Sequence, residues 1–145
     1  MIRHAWSVLC DRVITDRETN NLSMDVIEQF NVALVDAIPI GVPIAIPVTL
    51  TLASLFYGTA EDVGSQVVMR GRIVSPEGTM LGQMGGTFEM TTTRVRNLTK
   101  IAGLPISSSG VYEFTLEFQV NGGDWTVAGT APLELNIVAP PVQPP

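Results

Sequence analysis

The chain has 145 residues, 8 Lys+Arg against 14 Asp+Glu, a net charge of −6 and a pI of about 4.6. That length suits one domain with one core, and the acidic balance speaks against binding nucleic acid by phosphate neutralisation or docking on anionic membranes. Charged residues are only 15% and mean hydropathy is +0.31, so part of the surface is expected to be covered by a second copy or by another protein.

The opening residues Met1-Ile2-Arg3-His4-Ala5-Trp6 lack the apolar run of a signal peptide. Residues 5–15 read as a strand that contains Cys10, the sole cysteine, so no intrachain disulfide can form. A lone thiol fits a reducing compartment, and the expectation is a cytoplasmic protein or a component of a phage particle. Without secretion, the sequon Asn97-Leu98-Thr99 is a chance match. Asp16 to Asn21 is a polar turn, and Leu22 to Leu34 reads as a strand with a bend or bulge near Ile27.

The run from Val32 to Tyr57 is apolar and long enough to span a bilayer. Pro39, Pro43 and Pro47 recur through it, and each removes a backbone donor and breaks helix. The run therefore reads as an extended connection, Ile38 to Ile44, leading into a strand from Ile46 to Tyr57. Gly58 to Gly64 is an acidic loop and Gln66 to Val74 the next strand. Ser75-Pro76-Glu77-Gly78 has the residues of a β-turn, with Thr79 to Met84 returning as its hairpin partner. Gly85-Gly86 predicts a bend before a strand at Thr87 to Met90, and Thr91 to Thr99 is strand or loop.

The clearest strand is Gly110 to Val120. Tyr112, Phe114, Leu116, Phe118 and Val120 alternate with Glu113, Thr115, Glu117 and Gln119, which marks a half-buried strand. Asn121-Gly122-Gly123-Asp124 supplies the positive φ angles of a tight hairpin. Two further strands, Trp125 to Ala128 and Leu133 to Ile137, close the domain at residue 138. Residues 139–145 form a proline-rich tail that builds no core. Seven to nine strands with Gly- and Pro-rich turns and no strong helix predict an all-β antiparallel sandwich.

Ser108-x-Gly110-x-Tyr112-x-Phe114 resembles the tyrosine-corner strand of immunoglobulin-like sandwiches. The resemblance implies a buried Tyr112 whose hydroxyl bonds upstream backbone. It is partial, because Ser108 stands where an acidic residue is common, and Phe114 stands where antibody domains carry cysteine. Across residues 5–137 the chain also resembles an uncharacterised group of small bacterial and phage proteins. The matching features are Cys10-Asp11, Leu22-Ser23, the proline-containing run, Ser75-Pro76-x-Gly78 and Gly110-x-Tyr112-x-Phe114. That second resemblance implies a fold, immunoglobulin-like or C2-like, and no activity.

No residue set commits the chain to catalysis or to a cofactor. His4, the single histidine, has no Gly-x-Ser-x-Gly elbow to serve. One cysteine and one histidine cannot build a zinc site. Asp11, Asp16 and Asp124 are candidate calcium or carbohydrate ligands at the loops, without the dense Asp spacing of a calcium site. Glu113 and Glu117 could serve a carboxylate hydrolase, but read more simply as the wet face of their strand, paired across the sheet with Arg70 and Arg72. The tryptophans, tyrosines and phenylalanines, Trp125 among them, read as core. The leading expectation is a non-enzymatic interaction or assembly module. Its surface would be the apolar segment carrying Ile38, Ile40, Val42, Ile44 and Ile46, while Tyr112, Phe114 and Trp125 would be structural.

Overall fold

The computed structural model describes residues 1–33 and 43–138. Among these residues the chain forms nine strands: β1 (Arg3–Thr15), β2 (Leu22–Val26), β3 (Gln29–Ala33), β4 (Ile44–Tyr57), β5 (Gln66–Val74), β6 (Met80–Glu89), β7 (Arg94–Ile106), β8 (Gly110–Val120) and β9 (Trp125–Val138). A single 3-10 turn, Ala60–Asp62, lies between β4 and β5. One sheet has the order β2-β1-β4-β7 and the other β3-β9-β8-β5-β6. This is a β-sandwich in the immunoglobulin-like arrangement. β1, β4 and β7 stand where strands A, B and E stand, and β9, β8, β5 and β6 where G, F, C and C′ stand.

The core lies between the sheets and follows from period-two alternation. β8 contributes Tyr112, Phe114, Leu116 and Phe118, all 5% exposed or less, and β4 contributes Leu50, Leu52 and Phe56. Phe56 packs its ring at 5.2 Å from both Phe88 and Phe118. The hydroxyl of fully buried Tyr112 accepts the N–H groups of Ser107 and Ser108, at 2.9 and 3.0 Å, and donates to the Ser108 carbonyl at 2.6 Å. That is a tyrosine corner. The carboxylate that Ser108 lacks is supplied by Glu77 from the β5–β6 turn, which accepts from the Ser108 hydroxyl. Gly110, at φ +139°, enters β8 with no room for a Cβ, which would lie 2.8 Å from Pro76.

Several local expectations are corrected by pairing. The bend near Ile27 is a change of sheet. Ile27 N–H donates to Leu9 O, Glu134 N–H donates to Glu28 O, and β3 then runs parallel to β9, so the sandwich is not wholly antiparallel. Gly85 and Gly86 do not break β6, which pairs with β5 along its length. A Cβ at Gly85 would meet the Met69 carbonyl at 3.0 Å, so the glycine admits close approach of the neighbouring strand. β7 runs on through Pro105, which is tolerated because β7 is an edge strand. The two closing strands are one strand, β9, with a bulge near Ala128. Trp125 and Tyr57 are not core: they are 36% and 39% exposed.

The β1–β2 hairpin does more than extend the first sheet. After the bulge between Cys10 and Arg12 it folds back over that sheet, and Arg96 Nη1 on β7 donates to the Asn20 carbonyl at its tip at 2.8 Å. Ala53 and Leu55 point away from the main core on β4, yet are only 0% and 9% exposed beneath this hairpin.

Removing the Tyr112 hydroxyl should expose the cost of the corner. Tyr112→Phe leaves two part-buried N–H groups without an acceptor, at on the order of 1–3 kcal/mol. The urea midpoint should fall with the m value unchanged. An unchanged midpoint would show that the corner adds no stability.

Candidate functional site

The sides of the sandwich are closed unequally. β2 joins β1 only from Cys10 onward, and β3 joins β9 only from Glu134 onward. Among the described residues, the stretch of β1 before Cys10 and the stretch of β9 before Glu134 therefore each have no strand neighbour on one side. These two free edges flank the same side of the sandwich. Two clefts lie along the seam between them. One, of about 490 Å³, is lined by Ile2, His4, Phe118, Val120, Val127 and Ala128 among others. The other, of about 450 Å³, is lined by Leu9, Ile27, Ala131 and Pro132 among others.

Pro132 identifies which peptide groups face the seam. It has no N–H to give β8, so its nitrogen side points away from β8, into the seam. Glu134, two residues on, has the same orientation and does donate across that side, to Glu28 O at 2.8 Å. Thr130, opposite Thr115, shares it. Past the bulge so does Val127, which stands opposite Glu117 two residues further along β8. The N–H and C=O groups of Val127 and Thr130, and the C=O of Pro132, thus point into the seam. No strand among the described residues receives them. A strand edge of this kind is a template for pairing with another chain.

Charged side chains stand at the ends of the clefts, Arg3, Asp62 and Asp124 in the first and Glu28 and Glu134 in the second, while the strand between them carries none. No charged residue occurs from Trp125 to Leu133. Val127 is 66% exposed. Beside it, the Arg70 guanidinium sits 3.8 Å over the Trp125 ring, while Arg70 Nε donates to the Glu117 carboxylate. The cross-sheet pairing of Arg70 with Glu117 follows from their direct register. Arg72 instead stands opposite Thr115 and has no ion pair among the described residues.

A chain of polar groups lies just inside the same seam. Nε2 of His4 is 2.6 Å from the Ser7 hydroxyl, which is 2.7 Å from the hydroxyl of fully buried Ser54. The His4 ring packs edge-on against Phe56. Burial pushes its pKa below the ordinary value, and a backbone bond at Trp6 opposes that only in part. A histidine bonded to a serine is the pairing that a nucleophilic dyad uses. Here, however, the Ser7 hydroxyl is spanned between His4 and Ser54, and the chain satisfies buried hydroxyls between the sheets.

The remaining expected sites separate. Ile38, Ile40 and Val42 lie outside the described residues. Ile46 is a core residue at 7% exposure and Ile44 packs against the same core from β4. Tyr112 and Phe114 are core, at 0% and 1%. Among the described residues, Asp11, Asp16 and Asp124 join no group of three or more potential metal ligands. The Asp16 carboxylate instead accepts the N–H groups of Glu18 and Thr19, which holds its pKa below the usual value. Burial pushes the Cys10 thiol pKa up, with Asp25 adding to the effect, so this cysteine is a poor nucleophile. No helix among the described residues is long and apolar enough to cross a membrane. No protein-family model matches the chain, and no curated protein matches it significantly.

The lowered His4 pKa has a defined consequence for stability. An unfolded histidine takes up its proton near pH 6.5, before the folded one does. Stability from this group is therefore complete above about pH 6.5 and is lost as pH falls toward the folded-state value. Between pH 7 and pH 5 the melting temperature of the native protein should drop further than that of His4→Gln. Equal drops would assign the titration to another group.

Proposed function

We propose that this chain is a non-enzymatic protein–protein interaction or assembly module that takes up an extended strand along the seam between β1 and β9. The observation that carries this reading is the free edge of β9: peptide groups at Val127 and Thr130 turned toward two clefts, on a stretch of strand that carries no charged side chain from Trp125 to Leu133. The guest would continue the line of β3 along β9, from Trp125 to Pro132. Its length is roughly 25 Å at about 3.3 Å per residue. Backbone bonds would supply affinity, and alternate apolar side chains entering the clefts would supply selectivity. Tryptophan and arginine are enriched where interfaces concentrate their energy, and the Arg70–Trp125 pair borders the groove.

This moves the proposed surface away from Ile38 to Ile46. Ile44 and Ile46 spend their side chains on the core, and the seam offers both backbone and apolar groups. The bacterial or phage setting belongs to the same proposal and rests on the resemblance of the sequence alone.

Displayed random peptides test the seam without knowledge of the natural partner. Selection on the native protein should enrich extended sequences with alternating apolar residues. Their binding should fall by about tenfold or more on Thr130→Pro, which removes a seam-facing donor and no donor to β8. Failure to enrich such peptides, or binding indifferent to Thr130→Pro, would remove the seam as the interaction surface.

A further inference from the structure

We infer that the strand received by β9 is β9 of a second copy of this chain, paired antiparallel about a two-fold axis. The inference rests on the seam being the interaction surface. In a symmetric antiparallel pair the numbers of facing residues have a constant sum, and both copies must be satisfied by one register. The peptide groups that face the seam fix that register. Val127 of one copy stands opposite Thr130 of the other, and each such pair exchanges two N–H···O=C bonds. Trp125 then falls opposite Pro132, where the free Pro132 carbonyl receives the Trp125 N–H. The proline lacks a donor, so this outer pair makes one bond and ends the ladder.

Side chains fit the same register. Val127 lies against Thr130 on the outer face, while the Trp125 ring keeps its place under the Arg70 guanidinium of β5. Beyond Pro132 the open side of β9 is taken by β3 at Glu134, so the pairing of the two copies ends at Trp125 and Pro132. Edge-to-edge pairing of β7 would not have this property. Arg94, Arg96 and Lys100 alternate along its outer face and have no ion pair among the described residues, so two copies would crowd six cations together. β6 is uncharged from Met80 to Phe88, but glycines at 82, 85 and 86 leave little side chain for a partner to pack on. On β9 free peptide groups, an uncharged edge and an exposed apolar side chain, Val127, come together without glycines other than Gly129. The pairing also covers apolar surface that a chain with 15% charged residues would otherwise leave in water.

Sedimentation equilibrium on the full chain is the test. The native protein should give twice 15.6 kDa. Each copy carries −6, so association should tighten as salt screens the repulsion between copies. Val127→Glu and Thr130→Pro should each weaken the dimer by about tenfold or more with the melting temperature of the separated chain unchanged. The register is read independently by cross-linking. Val127→Cys mixed with Thr130→Cys should form a disulfide-linked heterodimer under mild oxidation, and neither variant should link to itself. A native chain that stays monomeric up to millimolar concentration overturns the inference, and peptide capture still decides the seam reading by itself. A dimer indifferent to both substitutions, or one in which Val127→Cys links to itself, also overturns it.

Discussion

A strand satisfies its backbone on both sides only in the interior of a sheet, and that constraint organises this molecule. Two sheets leave edges, and each edge is handled differently. β2 and β3 are short. β7 is long, but carries Arg94, Arg96 and Lys100, shifts register near Gly103 and includes Pro105. Charge and proline on an edge are ordinary defences against unwanted pairing. β6 is uncharged from Met80 to Phe88, but its glycines at 82, 85 and 86 leave little side chain to pack on. The early part of β9 has a bulge and Pro132 but no charge, and its open side faces two clefts.

The interior explains why the seam can stay open without loss of the fold. The tyrosine corner ties the start of β8 to the preceding loop, and Glu77 ties that loop to the β5–β6 turn. The Phe56, Phe88 and Phe118 rings join the sheets behind the seam. Burying aromatic side chains of this size stabilises by roughly 1.5–3 kcal/mol each. The hydroxyls of Ser7 and Ser54 enter this apolar layer only because they bond one another and His4. A folded β1–β2 hairpin covers the outer face of the other sheet over Ala53 and Leu55.

Chemistry and position separate clearly on this scaffold. Its potential nucleophiles, Cys10 and Ser7, are held by burial or by bonded neighbours. Its carboxylates do structural work, as Asp16, Glu77 and Glu117 do, or stand alone in water. The surface beside β9 offers shape, free backbone groups and an Arg–Trp pair.

The sequence by itself determined whatever depends on neighbours along the chain. The alternation in β8 and β5, the Ser75–Gly78 turn, the Asn121–Gly123 hairpin and the tyrosine corner are all local, set by period two, by positive φ at Asn121 and Gly122, and by a hydroxyl reaching back four residues. The Arg70–Glu117 pair was legible for the same reason, as opposite charges on the wet faces of two strands. The tertiary structure alone decided the parallel placement of β3, the hairpin folded over Ala53 and Leu55, the exposure of Trp125 and the free edge of β9. Each of these depends on which strand arrives beside which, and a strand with one unpaired side has the same residues as one with two. The apolar run near Ile44 and Ile46 drew attention because hydropathy measures burial without saying against what. In those two residues it records a core strand, and the exposed backbone lies elsewhere.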